Sequence, residues 1–489
     1  LKKKSLILLV IGAILLLFAL RRGHFTNSVI FTGDEWDYQS IAVNYCDGHG
    51  YPVTGLIEEI DRYKIVDLTE EKIRFWQHFS GIKAFHRPPF YPVFLCVTYR
   101  LFGVNPLIIK YLQLIVLLCA GILLVVAGKL FWGEKGYFIG LLGFISFFIL
   151  NRRFPEHLMP ENWQFLFLSI ITICLYFHYR GSVISSILLG TILGISVLNK
   201  GTTLLLFPLV ILCDLYCMLF KRKGRLLNTL VFLIGFLAIT GIWSGYLSSQ
   251  VHHFTFVSTQ SNEVLLDGNN EYCSDGLWHP EWRDDINAFY NADHGTHLDM
   301  LRVISFYSHN PEYLLNIPAK IKAGFSPLLT FSFLLTLLMI LLAIWLFKRS
   351  RTYTSKLYRY LAVPVALGLI VLAVYFGFFS GTLNKLQYSY LVILMLSLYA
   401  LYYNQMSVSG FLVPREFILI FFNFFIFSVV FYVCNETYSS RYVKTMEGIF
   451  LLTDFYLLAA IYKVLLSVIG SGQDVSGYSH RRDFRDFFG

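Results

Sequence analysis

The chain has 489 residues, of which 56% are hydrophobic, 17% aromatic and only 15% charged, with a mean hydropathy of +0.59. Water-soluble domains carry about a quarter charged residues, so this balance excludes an ordinary soluble fold. Many of the basic residues behind the net charge of +9 lie in short loops between apolar runs, a pattern that suits membrane topology and not a nucleic-acid-binding face.

A bilayer core about 30 Å thick needs roughly 20 apolar residues per helix. About twelve runs of that order occur, at approximately 5–20, 107–127, 137–150, 163–178, 183–198, 202–219, 227–248, 324–347, 360–379, 388–404, 417–434 and 448–468. They predict an all-α polytopic membrane protein of about 12 transmembrane helices, forming one domain over 1–489. With Lys2, Lys3 and Lys4 in the cytoplasm, the basic loops at 129–135, Tyr179-Arg180, 221–225 and 348–359 and the tail His480-Arg481-Arg482 also fall inside, as the positive-inside bias requires. Arg21 and Arg22 dissent locally. No small-x-small cleavage site follows the first run, which reads as a retained anchor. The external loops are then 21–106, 151–162 and 249–323, with shorter ones at 380–387 and 435–447.

The first external loop opens Asp34-Glu35-Trp36-Asp37-Tyr38 and continues as a short helix through Ile41 and Ala42. A carboxylate at a low-dielectric boundary gains proton affinity and can act as a general base. Acidic residues are also favoured at any helix start by the dipole, and the sequence alone leaves both readings open. Farther on, Phe85-His86-Arg87-Pro88-Pro89-Phe90-Tyr91-Pro92 leads into the apolar stretch 93–102, which is short for a span. Its prolines stop a helix from starting earlier, so a juxtamembrane helix on the outer leaflet is expected. Arg87 then sits at headgroup height, either meeting a lipid-borne phosphate or snorkelling to the interface.

The loop 151–162 places Arg152, Arg153, Glu156 and Glu161 together between hydrophobic spans, and external arginines call for a partner, either a phosphate or the loop's own acids. His252 and His253 end the span before the long loop, as phosphate donors or as interfacial residues. Within that loop Gly268-Asn269-Asn270 is turn chemistry whose side chains can hydrogen-bond a sugar or the backbone. Of the eight cysteines, most lie in apolar runs; Cys46 and Cys273 both fall in external loops, where an oxidising compartment would permit a disulfide between them.

Together these motifs resemble the membrane glycosyltransferases of the GT-C fold that use polyprenyl-phosphate sugars, namely the protein O-mannosyltransferases and the lipid A aminoarabinose transferases. The resemblance rests on Asp34-Glu35 with Tyr38, on Arg87-Pro88-Pro89, on the turn Leu130-Phe131-Trp132-Gly133-Glu134-Lys135-Gly136, and on Leu198-Asn199-Lys200-Gly201. It implies Asp34 as the catalytic base, attack on the anomeric carbon with inversion, Glu161 as companion acid and Glu35 in a supporting role. It further implies Arg87 on the donor phosphate, with Tyr38 nearby and Lys200, His252 and His253 as weaker candidates. Two departures stand out: Lys385, in Asn384-Lys385-Leu386-Gln387-Tyr388, stands where the family has Arg-Tyr, and Glu161 stands where relatives often carry Asp, leaving Glu156 as an alternative.

The implied partners are a polyprenyl-phosphate-linked sugar donor, a protein, lipid or glycan acceptor, and membrane lipids, with no nucleic acid. Arginine and lysine can neutralise the leaving phosphate, so no obligatory metal is expected; a divalent metal between Asp34 and Glu161 stays open as an alternative, although a hard cation wants several oxygen ligands. The expected setting is a bacterial inner (plasma) membrane, with the N-terminus cytoplasmic and the active site extracytoplasmic. The rival readings are a transporter or flippase, which would place ionisable residues inside its spans, and a noncatalytic lipid-binding scaffold. Asp214 is the span residue that gives the first rival a foothold, although it also lies near the basic loop at Lys221.

Overall fold

The structure is a computed structural model that describes residues 2–23, 25–26, 34–53, 83–85, 87–221, 226–252, 254–258, 307–316 and 420. All lie in one compact unit, Leu1–Leu328 with Val413–Thr453. The five runs expected from 324 onward fall outside the described residues, apart from Ile420 in the run 417–434.

The described part is helical. Helix α1 is Lys2–Arg22, α2 is Asp34–Cys46, α3 is Phe90–Phe102, α4 is Pro106–Asn151, α5 is Glu161–His178, α6 is Val183–Asn199, α7 is Leu206–Lys221 and α8 is Leu226–Val251. Three stretches, Pro106–Glu134, Gly201–Met218 and Leu226–Val251, are long and apolar enough to cross a bilayer, and the chain is an integral membrane protein. The all-α expectation needs one small correction: strands β1 (Pro52–Val53) and β2 (Lys83–Ala84) pair antiparallel, Pro52 opposite Ala84 and Val53 opposite Lys83.

Helix α4 has 46 residues, which at 1.5 Å per residue would reach about 69 Å, more than twice a bilayer core. It therefore turns back on itself. Trp132 and Gly133 leave helical geometry, Gly133 at φ 63 and ψ −142, a conformation glycine adopts without a Cβ clash. The two arms meet at Gly128, Gly136 and Gly140: a methyl group built on Gly136 would lie 1.9 Å from the Gly128 carbonyl oxygen. Small residues let backbones approach in a membrane, where apolar side chains gain little by leaving lipid. Helices α6 and α8 use the same device, since a methyl on Gly190 would lie 2.1 Å from the Phe232 carbonyl oxygen.

A buried polar network ties α5, α6, α7 and α8 at the end of the bundle opposite Glu161. His178 Nε2 lies 3.0 Å from Asp214 Oδ1, and Nδ1 lies 2.8 Å from Ser186 Oγ. Thr229 Oγ1 donates to Asp214 Oδ2 at 2.8 Å, and Asn228 Nδ2 donates to Ser186 Oγ at 2.9 Å. Asp214 therefore faces His178 inside the bundle rather than the loop at Lys221; with both side chains fully buried, each polar group requires the other.

The disulfide left open between Cys46 and Cys273 gives way to another pairing. Cys46, at the end of α2, is bonded to Cys96 in the middle of α3, their Cα atoms 5.4 Å apart. Cys273 lies outside the described residues.

Candidate functional site

Helix α2 is short, carries Asp34, Glu35 and Asp37 in its first turn, and is nevertheless buried from Glu35 to Asn44. Buried carboxylates require compensation, and two other segments supply it: Arg87 pairs with both Asp34 and Asp37, and His157 with Glu35.

Arg87 lies three residues beyond β2. Phe85 N–H donates to the Tyr51 carbonyl at 3.3 Å, and Tyr51 Oη donates to the Pro88 carbonyl at 3.0 Å, so the segment carrying Arg87 is pinned against α2. Phe85 stacks on Tyr51 with ring centroids 5.6 Å apart. Its φ of 58 is a left-handed conformation that costs a β-carbon residue about 1–3 kcal/mol. Arg87 Nε donates to Asp37 Oδ2 at 2.9 Å, and Nη2 donates to Asp37 Oδ2 at 2.6 Å and to Asp34 Oδ1 at 2.5 Å. Its guanidinium also lies 5.5 Å from the centre of the Tyr38 ring. Burial alone would lower the Arg87 pKa, but Asp34 and Asp37 outweigh it and hold the value above the ordinary range.

Glu35 faces the other way. His157, from the loop joining α4 to α5, places Nδ1 2.6 Å from Glu35 Oε1. An ionised carboxylate only accepts, so Nδ1 carries a proton. This bond raises the His157 pKa above 6.5 against the opposing pull of partial burial. The backbone there is fixed by Gln113 on α4, whose Nε2 donates to the His157 carbonyl at 2.8 Å while its Oε1 accepts from Tyr91 Oη at 2.7 Å. Lys110, one turn earlier on α4, donates to the Thr26 carbonyl at 3.0 Å and lies within electrostatic reach of Glu35 and Glu156.

Glu161 begins α5, where a carboxylate suits the helix dipole. It is 1% exposed and accepts from Lys200 Nζ at 2.8 Å. Lys200 follows α6 in extended conformation, held beside α5 by Asn199 Nδ2, which donates to the Pro160 carbonyl at 3.1 Å and to Gln164 Oε1 at 3.0 Å.

One aromatic floor joins the three pairs. Tyr38, Ala42, Val43, Tyr91, Leu95, Tyr99, Ile109 and Leu158 form a buried cluster against which Phe94, Met159 and Trp163 pack, drawing on α2, α3, α4, α5 and the loop between the last two. Tyr91 feels the charges of both Glu35 and Glu161. The end of α1, the starts of α4 and α5 and the end of α6 thus converge at one end of the bundle.

Of the residues singled out from sequence, Asp34, Glu35, Tyr38, Arg87, Glu161 and Lys200 come together here. Lys200 is Glu161's partner, and Glu156 is half-buried near Lys110. His252 directly follows α8 with φ 59 and, among the described residues, bonds to none of the cluster's carboxylates. His253, Asn269, Asn270 and Lys385 lie outside the described residues. Arg152 donates to the Ile149 carbonyl at 2.6 Å, its guanidinium lies 6.0 Å from the Phe18 ring centre, and it pairs with no acid among the described residues. Sequence reasoning gave no role to His157 or Gln113 and no partner to Asp37. Asp37 was visible as Asp34's neighbour one helical turn on, and His157 stands four residues before Glu161 in the same acidic loop. Among the described residues no group of three or more His, Cys, Asp or Glu side chains is arranged to hold a metal ion.

No protein-family model matches the chain, and no curated protein sequence does. Two solved structures of ArnT from Cupriavidus metallidurans are similar to it. The one bound to undecaprenyl phosphate shares 13% identity at a TM-score of 0.39, and the apo state 14% at 0.35, each alignment covering 94% of this chain and 77% of the other. Likeness at this level is too weak to carry fold or function over.

Proposed function

We propose that this chain transfers a sugar from a polyprenyl-phosphate donor to an acceptor hydroxyl or amine on a protein, lipid or glycan at the extracytoplasmic face of the membrane. The observation that carries the reading is the Asp34–Arg87–Asp37 bridge, set on one aromatic floor with the Glu161–Lys200 pair. Such a site presents a base beside a phosphate-binding cation, which is what this reaction needs.

At rest Asp34 shares Arg87 with Asp37, and a cation at this distance weakens a carboxylate as a base. A donor phosphate competes for the guanidinium, and as Arg87 turns toward it Asp34 regains proton affinity. Asp34 then takes the acceptor's proton as the acceptor oxygen or nitrogen forms its bond to the anomeric carbon. The bond from that carbon to the phosphate oxygen breaks on the opposite face, its electron pair leaves with the polyprenyl phosphate, and the sugar is inverted. Arg87 and Lys200 offset the charge on the leaving phosphate, and Glu161 holds Lys200 in place.

The sidedness draws on the positive-inside pattern and on Cys46–Cys96, since disulfides persist outside a reducing cytoplasm. A transporter reading draws instead on the His178–Asp214 pair buried inside the bundle. Reconstituting the chain with a labelled polyprenyl-phosphate sugar separates them: transfer strips the label from its carrier onto an acceptor, whereas transport moves intact carrier between leaflets. Mass spectrometry of co-purifying lipid would identify the donor.

A further inference from the structure

Three cations at the cluster have partners in the resting structure, two of them before they turn to the phosphate. Arg87 is bound by two carboxylates, Lys200 by Glu161, and Lys110 is 3% exposed and donates to a backbone carbonyl. His157 differs: 44% of its side-chain surface is exposed, against 10% for Arg87 and 11% for Lys200. Its Nδ1–H is spent on Glu35, and among the described residues Nε2 has no hydrogen-bond partner. The imidazole is held at its Nδ1 end. Glu35, 4% exposed, anchors the ring, and the Gln113–Tyr91 bond fixes the backbone that bears it.

We propose that His157 is a substrate-binding residue whose Nε2–H donates to an oxygen of the lipid-borne phosphate, with Glu35 as the residue that orients it. The inference deepens the transferase reading and rests on the cluster handling phosphate. Among the described residues three charged groups act on the ring: Glu35 from α2 and Glu156 from its own loop favour its protonated form, while Lys110 from α4 opposes it. A protonated ring with one N–H anchored and the other turned outward is a charge-assisted donor, and a neutral ring anchored through Nδ1–H presents only an acceptor at Nε2, which repels phosphate oxygen. His157 thereby makes phosphate binding depend on pH.

The test uses the full chain in nanodiscs, titrated with farnesyl phosphate, farnesol and inorganic phosphate at about pH 6 and about pH 8.5. Because the phosphate itself titrates near 6, the readout is the ratio of wild-type to variant affinity at each pH. For His157→Gln the expected ratio with farnesyl phosphate is about ten at the lower pH and approaches one at the higher. His157→Lys, which keeps a charge, is expected to hold wild-type affinity at the lower pH and exceed it at the higher. Farnesol is expected to show no ratio at either pH.

A ratio near one throughout overturns the proposal, as does an equal ratio for farnesol, which would mark a merely structural effect. Inorganic phosphate bound as tightly as farnesyl phosphate overturns the lipid assignment. A chain that binds farnesyl phosphate through His157 yet moves no sugar overturns the transferase reading and leaves this one standing. Sugar transfer with a ratio of one overturns this one alone.

Discussion

Glu161 and Lys200, 39 residues apart in sequence, meet at 2.8 Å where α5 begins and α6 ends. Both are largely removed from solvent, with 2% and 11% of their side-chain surfaces exposed. Removing one partner of such a pair leaves an uncompensated buried charge and costs about 3–5 kcal/mol, whereas removing both can be nearly neutral. Lys200→Met is therefore expected to lower thermal stability strongly, and Glu161→Gln with Lys200→Met to recover most of it without recovering sugar transfer. Thermal unfolding of the purified variants, paired with transfer assays, checks both parts.

The Cys46–Cys96 bond ties the acid-bearing helix α2 to α3. A peptide map of unreduced protein is expected to show these two cysteines linked, and alkylation before reduction to spare both. Cys46→Ser and Cys96→Ser are expected to destabilise equally, by about 2–4 kcal/mol, because either one opens the same loop. A Cys46–Cys273 link in the same map would contradict the pairing.

The Glu35–His157 bond should be visible in stability against pH. Glu35 raises the His157 pKa above its ordinary 6.5, so the folded state holds the proton more tightly than the unfolded chain. That contribution is fully present below about pH 6.5 and is lost as pH rises through the folded-state value. The wild-type melting temperature is expected to fall across that interval relative to His157→Gln, in which the interval is flat. A difference between the two that does not change with pH would count against the bond.

The α6–α8 crossing gives a test remote from the chemistry. With the Phe232 carbonyl occupying the space a side chain at Gly190 would need, Gly190→Leu is expected to separate the helices and lower stability and expression. The same substitution at Gly241, whose surroundings are open within 4 Å, is expected to change neither. Thermal unfolding in detergent distinguishes them.

Much of the described fold was legible because a membrane helix declares itself through the length and composition of its own segment. Seven of the expected runs fall on described helices, and the basic turn near Trp132–Gly133 is where α4 reverses. The acids Asp34 and Glu161 were legible because carboxylates beside apolar runs demand a reason. Their partners were not. Arg87 reaches α2 through a two-residue strand pairing that no periodicity announces, and His157 resembles any loop histidine until Glu35 is seen 2.6 Å away. The Cys46–Cys96 bond escaped notice for a similar reason: Cys96 sits in an apolar run, and only the packing of α3 on α2 brings it to Cys46.

The role of Asp34 as the base is tested by single-turnover sugar transfer by Asp34→Asn in nanodiscs, read beside its affinity for the polyprenyl-phosphate donor. Asparagine keeps the shape and a hydrogen bond to Arg87 but cannot take the proton. The expected result is transfer slowed by about 10²–10⁴-fold with the fold intact and donor affinity retained. Transfer at the wild-type rate by that variant would mean that Asp34 is not the base.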